Sequence, residues 1–162
     1  MATLTVLEFE SIDGAEKGLA LVQDLQKQAL IKLHDAAIVS WPKGARKPKT
    51  RQMHDLTAAG ALDGAFWGML FGFLFAVPFF GLAVGALMGG LSGHFAHYGI
   101  DEDFIKKVRE KVTEGTSALF LLTSDAVQDR VAAAAKTLPK FEIIATNLSI
   151  EEEKKLHAAF GA

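Results

Sequence analysis

The run from Gly60 to Gly99 constrains this chain most, through the spacing of its glycines. Gly60, Gly64, Gly68 and Gly72 recur every fourth residue, and after Pro78 the interval returns as Gly81, Gly85, Gly89 and Gly93. Between Asp63 and Asp101 there is no Asp, Glu, Lys or Arg. A four-residue interval lays one residue type in a nearly straight stripe along a helix. Glycine in a water-exposed helix costs roughly 0.5–1 kcal/mol relative to alanine. A stripe of them therefore predicts two backbones in close approach, as small residues permit between packed membrane helices. Helices over about 57–77 and 79–97 are predicted, each about 30 Å long at ~1.5 Å per residue, close to the hydrocarbon thickness of a bilayer. Asp63 shortens the uncharged part of the first. The connection Ala76-Val77-Pro78-Phe79-Phe80 is itself apolar, where a two-pass hairpin would carry a polar turn. Two readings stand: a hairpin inserted in a membrane, and the core of a soluble oligomer. Both require partners, because such a hairpin bare in water would aggregate.

Basic residues flank the run. Lys43, Arg46, Lys47, Lys49 and Arg51 precede it, and Lys106, Lys107, Arg109 and Lys111 follow. The first group reads either as a solvated hairpin arm or as a contact for anionic lipid headgroups, worth on the order of 1 kcal/mol per basic residue. Charge on both sides places both ends of a membrane hairpin in the cytoplasm. The start, Met1-Ala2-Thr3-Leu4-Thr5-Val6, lacks the features of a secretory signal. Cytoplasmic termini at an inner membrane are therefore expected, with a wholly cytoplasmic protein as the alternative.

Outside the run the chain reads as alternating strands and helices. Thr3 to Glu10 alternates as a strand does. Asp13 and Glu16 suggest a capping box, and Ala15, Leu19, Val22, Leu25 and Ala29 carry a helix to about Lys32. Ala36 to Trp41 predicts a buried strand stopped by Pro42. Lys43-Gly44-Ala45 predicts a turn, and Lys49 to Met53 an edge strand. After the run, Asp101-Glu102-Asp103 opens a helix ended by Gly115. Ser117 to Thr123 predicts a strand, Asp125 the cap of a short helix, and Phe141 to Thr146 a strand. Ser149 with Glu152 predicts a second capping box, opening a last helix with Ile150, Leu156, Ala159 and Phe160 on its apolar face. Two β-α-β halves predict an α+β fold, a ferredoxin-like α/β sandwich with an apolar glycine-zipper helical hairpin inserted between its halves. The divisions are 1–56, 57–99 and 100–162.

Chemistry is harder to find. The net charge of -2 argues against a dedicated nucleic-acid binder. No cysteine is present, which removes disulfides, thiolate ligands and cysteine nucleophiles. There is no Gly-x-Ser-x-Gly and no phosphate loop, and four-residue glycine spacing is not a dinucleotide fingerprint. His94 and His97 share a helical face without further ligands nearby, so no metal or other cofactor is expected. The acidic clusters Asp101/Glu102/Asp103 and Glu151/Glu152/Glu153 sit at helix starts, where capping explains them. Asp63, an ionisable residue at the edge of the apolar run, is the candidate functional carboxylate.

The stretches Arg51-Gln52-Met53-His54-Asp55-Leu56-Thr57, Gly64-Ala65-Phe66-Trp67-Gly68, Tyr98-Gly99-Ile100-Asp101-Glu102-Asp103-Phe104-Ile105 and Ser117-Ala118-Leu119-Phe120 resemble a bacterial family of predicted membrane proteins. It is the domain-of-unknown-function family twelve-sixty-nine, some of whose members are described as stress-associated. The resemblance covers nearly the whole chain. It departs at Pro42 and the basic stretch Lys43 to Arg51, where acidic turns are usual. The resemblance implies a membrane-associated bacterial protein and brings no agreed activity or catalytic residues. Together these readings predict a non-enzymatic homo-oligomer assembling through the eight glycines, with membrane lipid as a partner and any small-molecule ligand unknown. The alternatives are a soluble scaffold or cage built around the hairpins, and an oligomeric pore.

Overall fold

The computed structural model describes residues 3–46, 48–52, 74, 100 and 102–160. The elements, in chain order, are β1 (Thr3–Phe9), α1 (Gly14–Lys27), β2 (Lys32–Ser40), β3 (Lys49–Gln52), α2 (Glu102–Lys111), β4 (Ser117–Ser124), α3 (Gln128–Ala135), β5 (Phe141–Thr146) and α4 (Ile150–Phe160). The strands form one sheet in the order β3-β2-β4-β1-β5, with every pairing antiparallel. Units β1-α1-β2 and β4-α3-β5 are each split by a strand of the other. The protein is thus α+β, compatible with a ferredoxin-like fold carrying β3 as an extra edge.

Period-two alternation sorts each strand's side chains between the two faces. On one face Leu4, Val6, Ala37, Val39 and Phe120 pack under Phe104, Ile105 and Val108 of α2 and Val112 just after it. Leu74 and Ile100 join this core, 3% and 2% exposed. On the other face Phe9, Ile38, Leu119 and Leu121 meet Ala15, Leu19, Val22 and Leu25 of α1, with Val131 and Ala134 of α3 packed alongside. α4 lies near both helical layers: Glu153 Oε1 is 3.6 Å from Lys107 Nζ of α2, while Leu156 and Phe160 face a hollow beside α3.

Several boundaries differ from the sequence expectation for physical reasons. α1 stops at Lys27, not near Lys32. Ala29 takes a left-handed φ of 60°, the Leu30 N–H donates to Leu25 O (3.0 Å) and the Ala29 N–H to Gln26 O (3.0 Å). That is a Schellman stop with alanine where glycine is usual, so no glycine announced it. β2 accordingly begins at Lys32, four residues before the expected Ala36, with a bulge between Leu33 and Asp35 breaking its alternation. The Asp13/Glu16 box does not form. Asp13 makes no side-chain cap bond, and Glu16 pairs with Arg51 at 2.6 Å. The first turn of α1 is instead capped from β4: Ser117 Oγ accepts from the Ala15 N–H (3.0 Å) and donates to Ser11 O (2.6 Å). Asp125 is not the cap of α3 either. It takes φ 53°, and the helix begins after Val127, whose N–H donates to Leu30 O at 2.8 Å. α2 ends at Lys111, short of Gly115, which occupies a left-handed turn at φ 87° before β4. The last helix is capped at Ser149, whose Oγ accepts from the Glu152 N–H at 3.3 Å, one of the two bonds of the expected box. Its Ala159 is nevertheless exposed.

Candidate functional site

The helical layer over β1 does not close. β1 is flanked by β4 and β5, and on the α2 side its Leu4 and Val6 are 1% and 0% exposed. On the other side Thr3, Thr5 and Leu7 are only half-buried, because α1 and α3 leave a hollow of about 380 Å³ between them. The residues explain it. α1 presents Gly18 to the gap, and α3 is the short run Gln-Asp-Arg-Val-Ala-Ala-Ala-Ala, whose alanines reach little way toward the neighbouring helix. The hollow is partly open to solvent and has the size of a small-molecule site.

Its two ends differ in chemistry. Thr3, Thr5, Thr123 and Ser124 lie toward the start of β1 and the end of β4, with Asp125 beyond them. Thr3 and Thr123 are register partners. Ser124 Oγ is 2.7 Å from His34 Nε2. Toward the other end the walls are Leu7, Leu138, Phe141 and Ile143. Asp125, Gln128, Glu152 and Lys155 are exposed at the rim. No sequence motif marks this hollow, although the Thr3/Thr5 alternation on a core-facing side and the alanine run of α3 both contribute to it.

The site residues read from the sequence fall elsewhere. Gly60, Gly64, Gly68, Gly72, Gly81, Gly85, Gly89, Gly93, Asp63, His94, His97 and Lys47 lie outside the described residues, as do the predicted hairpin helices apart from Leu74. Among the described residues, no helix is long and apolar enough to cross a membrane, and no group of His, Asp and Glu could hold a metal ion. Of the basic arm, Lys43 is in a turn, Arg46 is exposed, and Lys49 and Arg51 are on β3. Arg51 is register partner of Ile38 and reaches Glu16, so it points to the α1 side, and Lys49, two residues away, shares that face. Leu74 and Ile100 pack on the opposite side.

A second polar feature lies at the far end of the α2 side. Glu8 is 9% exposed and stands directly across the strands from Glu142, whose Oε1 is 3.8 Å from Lys111 Nζ. Burial, then Glu142 and Glu10, push the Glu8 carboxyl above the ordinary glutamate value, with Lys111 opposing them. A carboxyl raised in the folded state contributes stability that is complete below its unfolded pKa and is lost as pH rises through the folded one. Glu8→Gln is therefore expected to stabilise the fold at neutral pH, by roughly the 0.2–1 kcal/mol of a relieved like-charge cross-strand pair. Below about pH 4, where glutamate is protonated, the difference should vanish. Urea denaturation across that pH range checks it; a gap that widens on acidification would refute the assignment.

The sequence model of a family described as "Protein of unknown function (DUF1269)" matches residues 61–161. The chain belongs to this family. No curated protein and no solved structure matches it. The DUF1269 match begins inside the glycine run and continues through α2, β4, α3, β5 and α4. The α3, α4 and β4 walls of the hollow therefore lie within the DUF1269 segment, whereas β1 and α1 lie before it.

Proposed function

We propose that the chain is a non-enzymatic homo-oligomer of the bacterial inner membrane, in which a ferredoxin-like domain carries an inserted glycine-zipper hairpin that assembles the protein. The observation that carries this reading is the doubled four-residue glycine interval, seven of whose eight glycines lie in the stretch between Asp63 and Asp101 that holds no charged residue. In water such a run has no stable bare form, and in lipid its side-chain-free stripes supply the close contacts that hold helices together. The basic residues before and after it support an orientation with both ends facing the cytoplasm.

One observation favours a second reading, a soluble assembly with the hairpins at its core. Leu74 is buried in the α2-side core of the domain. It precedes Pro78 by four residues, at most about 14 Å of fully extended chain. A hairpin turning at Pro78 with Leu74 docked cannot also reach across a hydrocarbon layer of about 30 Å. Full insertion of that hairpin requires Leu74 to leave the domain. Carbonate extraction of the membrane fraction, paired with a native mass measurement, separates the readings. The membrane proposal expects a carbonate-resistant oligomer; a monodisperse oligomer released without detergent would replace it with the soluble assembly, and a monomer in either fraction would end both.

A further inference from the structure

The assembly reading leaves the hollow between α1 and α3 without a role. It is a partly open cleft of about 380 Å³, the size of a small-molecule site. At about 30 Å³ per molecule of liquid water, that is room for about a dozen waters. Apolar walls hold water poorly, and an apolar cavity is filled more favourably by an apolar guest.

We propose that this hollow binds a single-chain amphiphile with an uncharged head, its head at the Thr3–Thr123 end and its tail against Leu7, Leu138 and Phe141. The chemistry of the two ends sets the orientation. Thr3, Thr5 and Thr123 stand together on one face, and a threonine hydroxyl both donates and accepts, which suits an alcohol, ester or amide head. From Thr3 to Leu7 the strand advances about 13 Å, which asks for a chain rather than a compact ring. The rim selects against an anion: Glu152 and Lys155, three residues apart on α4, cancel, which leaves one negative charge in excess, at Asp125 beside the threonine end. A carboxylate head would lie against that excess of negative charge. The walls come from β1, α1, β4, α3, β5 and α4, so occupancy would tie the short α3 and the peripheral α4 to the sheet.

The test uses the full chain and the uncharged fluorescent probe N-phenyl-1-naphthylamine, displaced by n-decanol or by n-decanoate. Decanol should displace the probe at a concentration at least about tenfold below decanoate, the difference expected when about 1.4 kcal/mol separates the two heads. Filling the hollow from opposite walls, with Leu21→Trp on α1 and Ala135→Leu on α3, should weaken probe binding at least about tenfold while raising the melting temperature, as void-filling substitutions commonly do. Probe bound to the glycine run would be untouched by either substitution. Unchanged probe binding in a variant that keeps its circular dichroism and cooperative melt would overturn the proposal. Decanoate competing as well as decanol would overturn the head-group assignment. Failure of both variants to fold would also overturn it, since a hollow tolerates added volume and a packed core does not.

Discussion

Leucine at positions 68 and 85 is expected to dissolve the proposed assembly. Gly68 is the third member of the first four-residue series and Gly85 the second of the other, so both lie inside their stripes rather than at the ends. Glycine at such positions lets two helix backbones approach closely, and that approach supplies much of the packing where no hydrophobic driving force acts between helices. A leucine side chain holds the backbones apart. Inserting extra methylenes into a tight contact typically costs about 1–3 kcal/mol per site, and the cost recurs in every copy of the interface. Light scattering should then give the 17.4 kDa monomer or aggregate in place of a defined oligomer. Alanine at the same positions, adding one methyl, should leave most of the oligomer intact. Unchanged mass and yield in the Gly68→Leu/Gly85→Leu protein would mean that the glycine stripe is not the contact.

The second large effect concerns Phe9 and the start of α1. Phe9 is 0% exposed, its ring centroid 5.9 Å from that of Phe141, and α1 sits directly on it. Phe9→Ala should cost about 3–5 kcal/mol, the usual range for a fully buried phenylalanine, out of the roughly 5–15 kcal/mol a domain possesses. The two glycines of α1 that contact it should respond differently. A Cβ at Gly14 would collide with Phe9 Cβ and lie 2.6 Å from its Cγ. No rotamer change moves a Cβ, so Gly14→Ala must shift the helix, at about 1–3 kcal/mol. A Cβ at Gly18 meets only the far ends of side chains, Leu119 Cδ2 and Phe9 Cζ, each at 3.0 Å. Alanine there also gains roughly 0.5–1 kcal/mol of helix propensity, so Gly18→Ala should be near neutral. Urea unfolding of the three variants gives the order Phe9→Ala, Gly14→Ala, Gly18→Ala from most to least destabilised. A stabilised Gly14→Ala protein would show that α1 does not lie so close to the sheet.

Much of the fold was legible because it rests on periodicity. The alternation of Leu4 and Val6 against Thr3, Thr5 and Leu7 marked β1, the apolar run Ala118 to Leu122 marked β4, and the spacing of Leu19, Val22 and Leu25 marked the buried side of α1. These signals are local and repeat over several residues. The misplaced boundaries had no local signal. Ala29 ends α1 in a conformation that glycine usually supplies, and Ser117 caps a helix from the other half of the chain. The hollow was equally hidden. It exists because two helices are held at a certain separation over β1, and no single segment records that distance.

The sequence by itself determined the order of strands and helices, their split into two β-α-β units, and a glycine-striped run with no charged residue between Asp63 and Asp101. Each follows from the spacing of side chains along one stretch of backbone. Only the tertiary structure decided where α1 stops, which partner caps it, that Leu74 packs against the domain, and that α1 and α3 leave open space above Thr5 and Leu7. Those depend on residues distant in sequence meeting in three dimensions, where a serine hydroxyl or a row of alanines takes its role from what lies opposite.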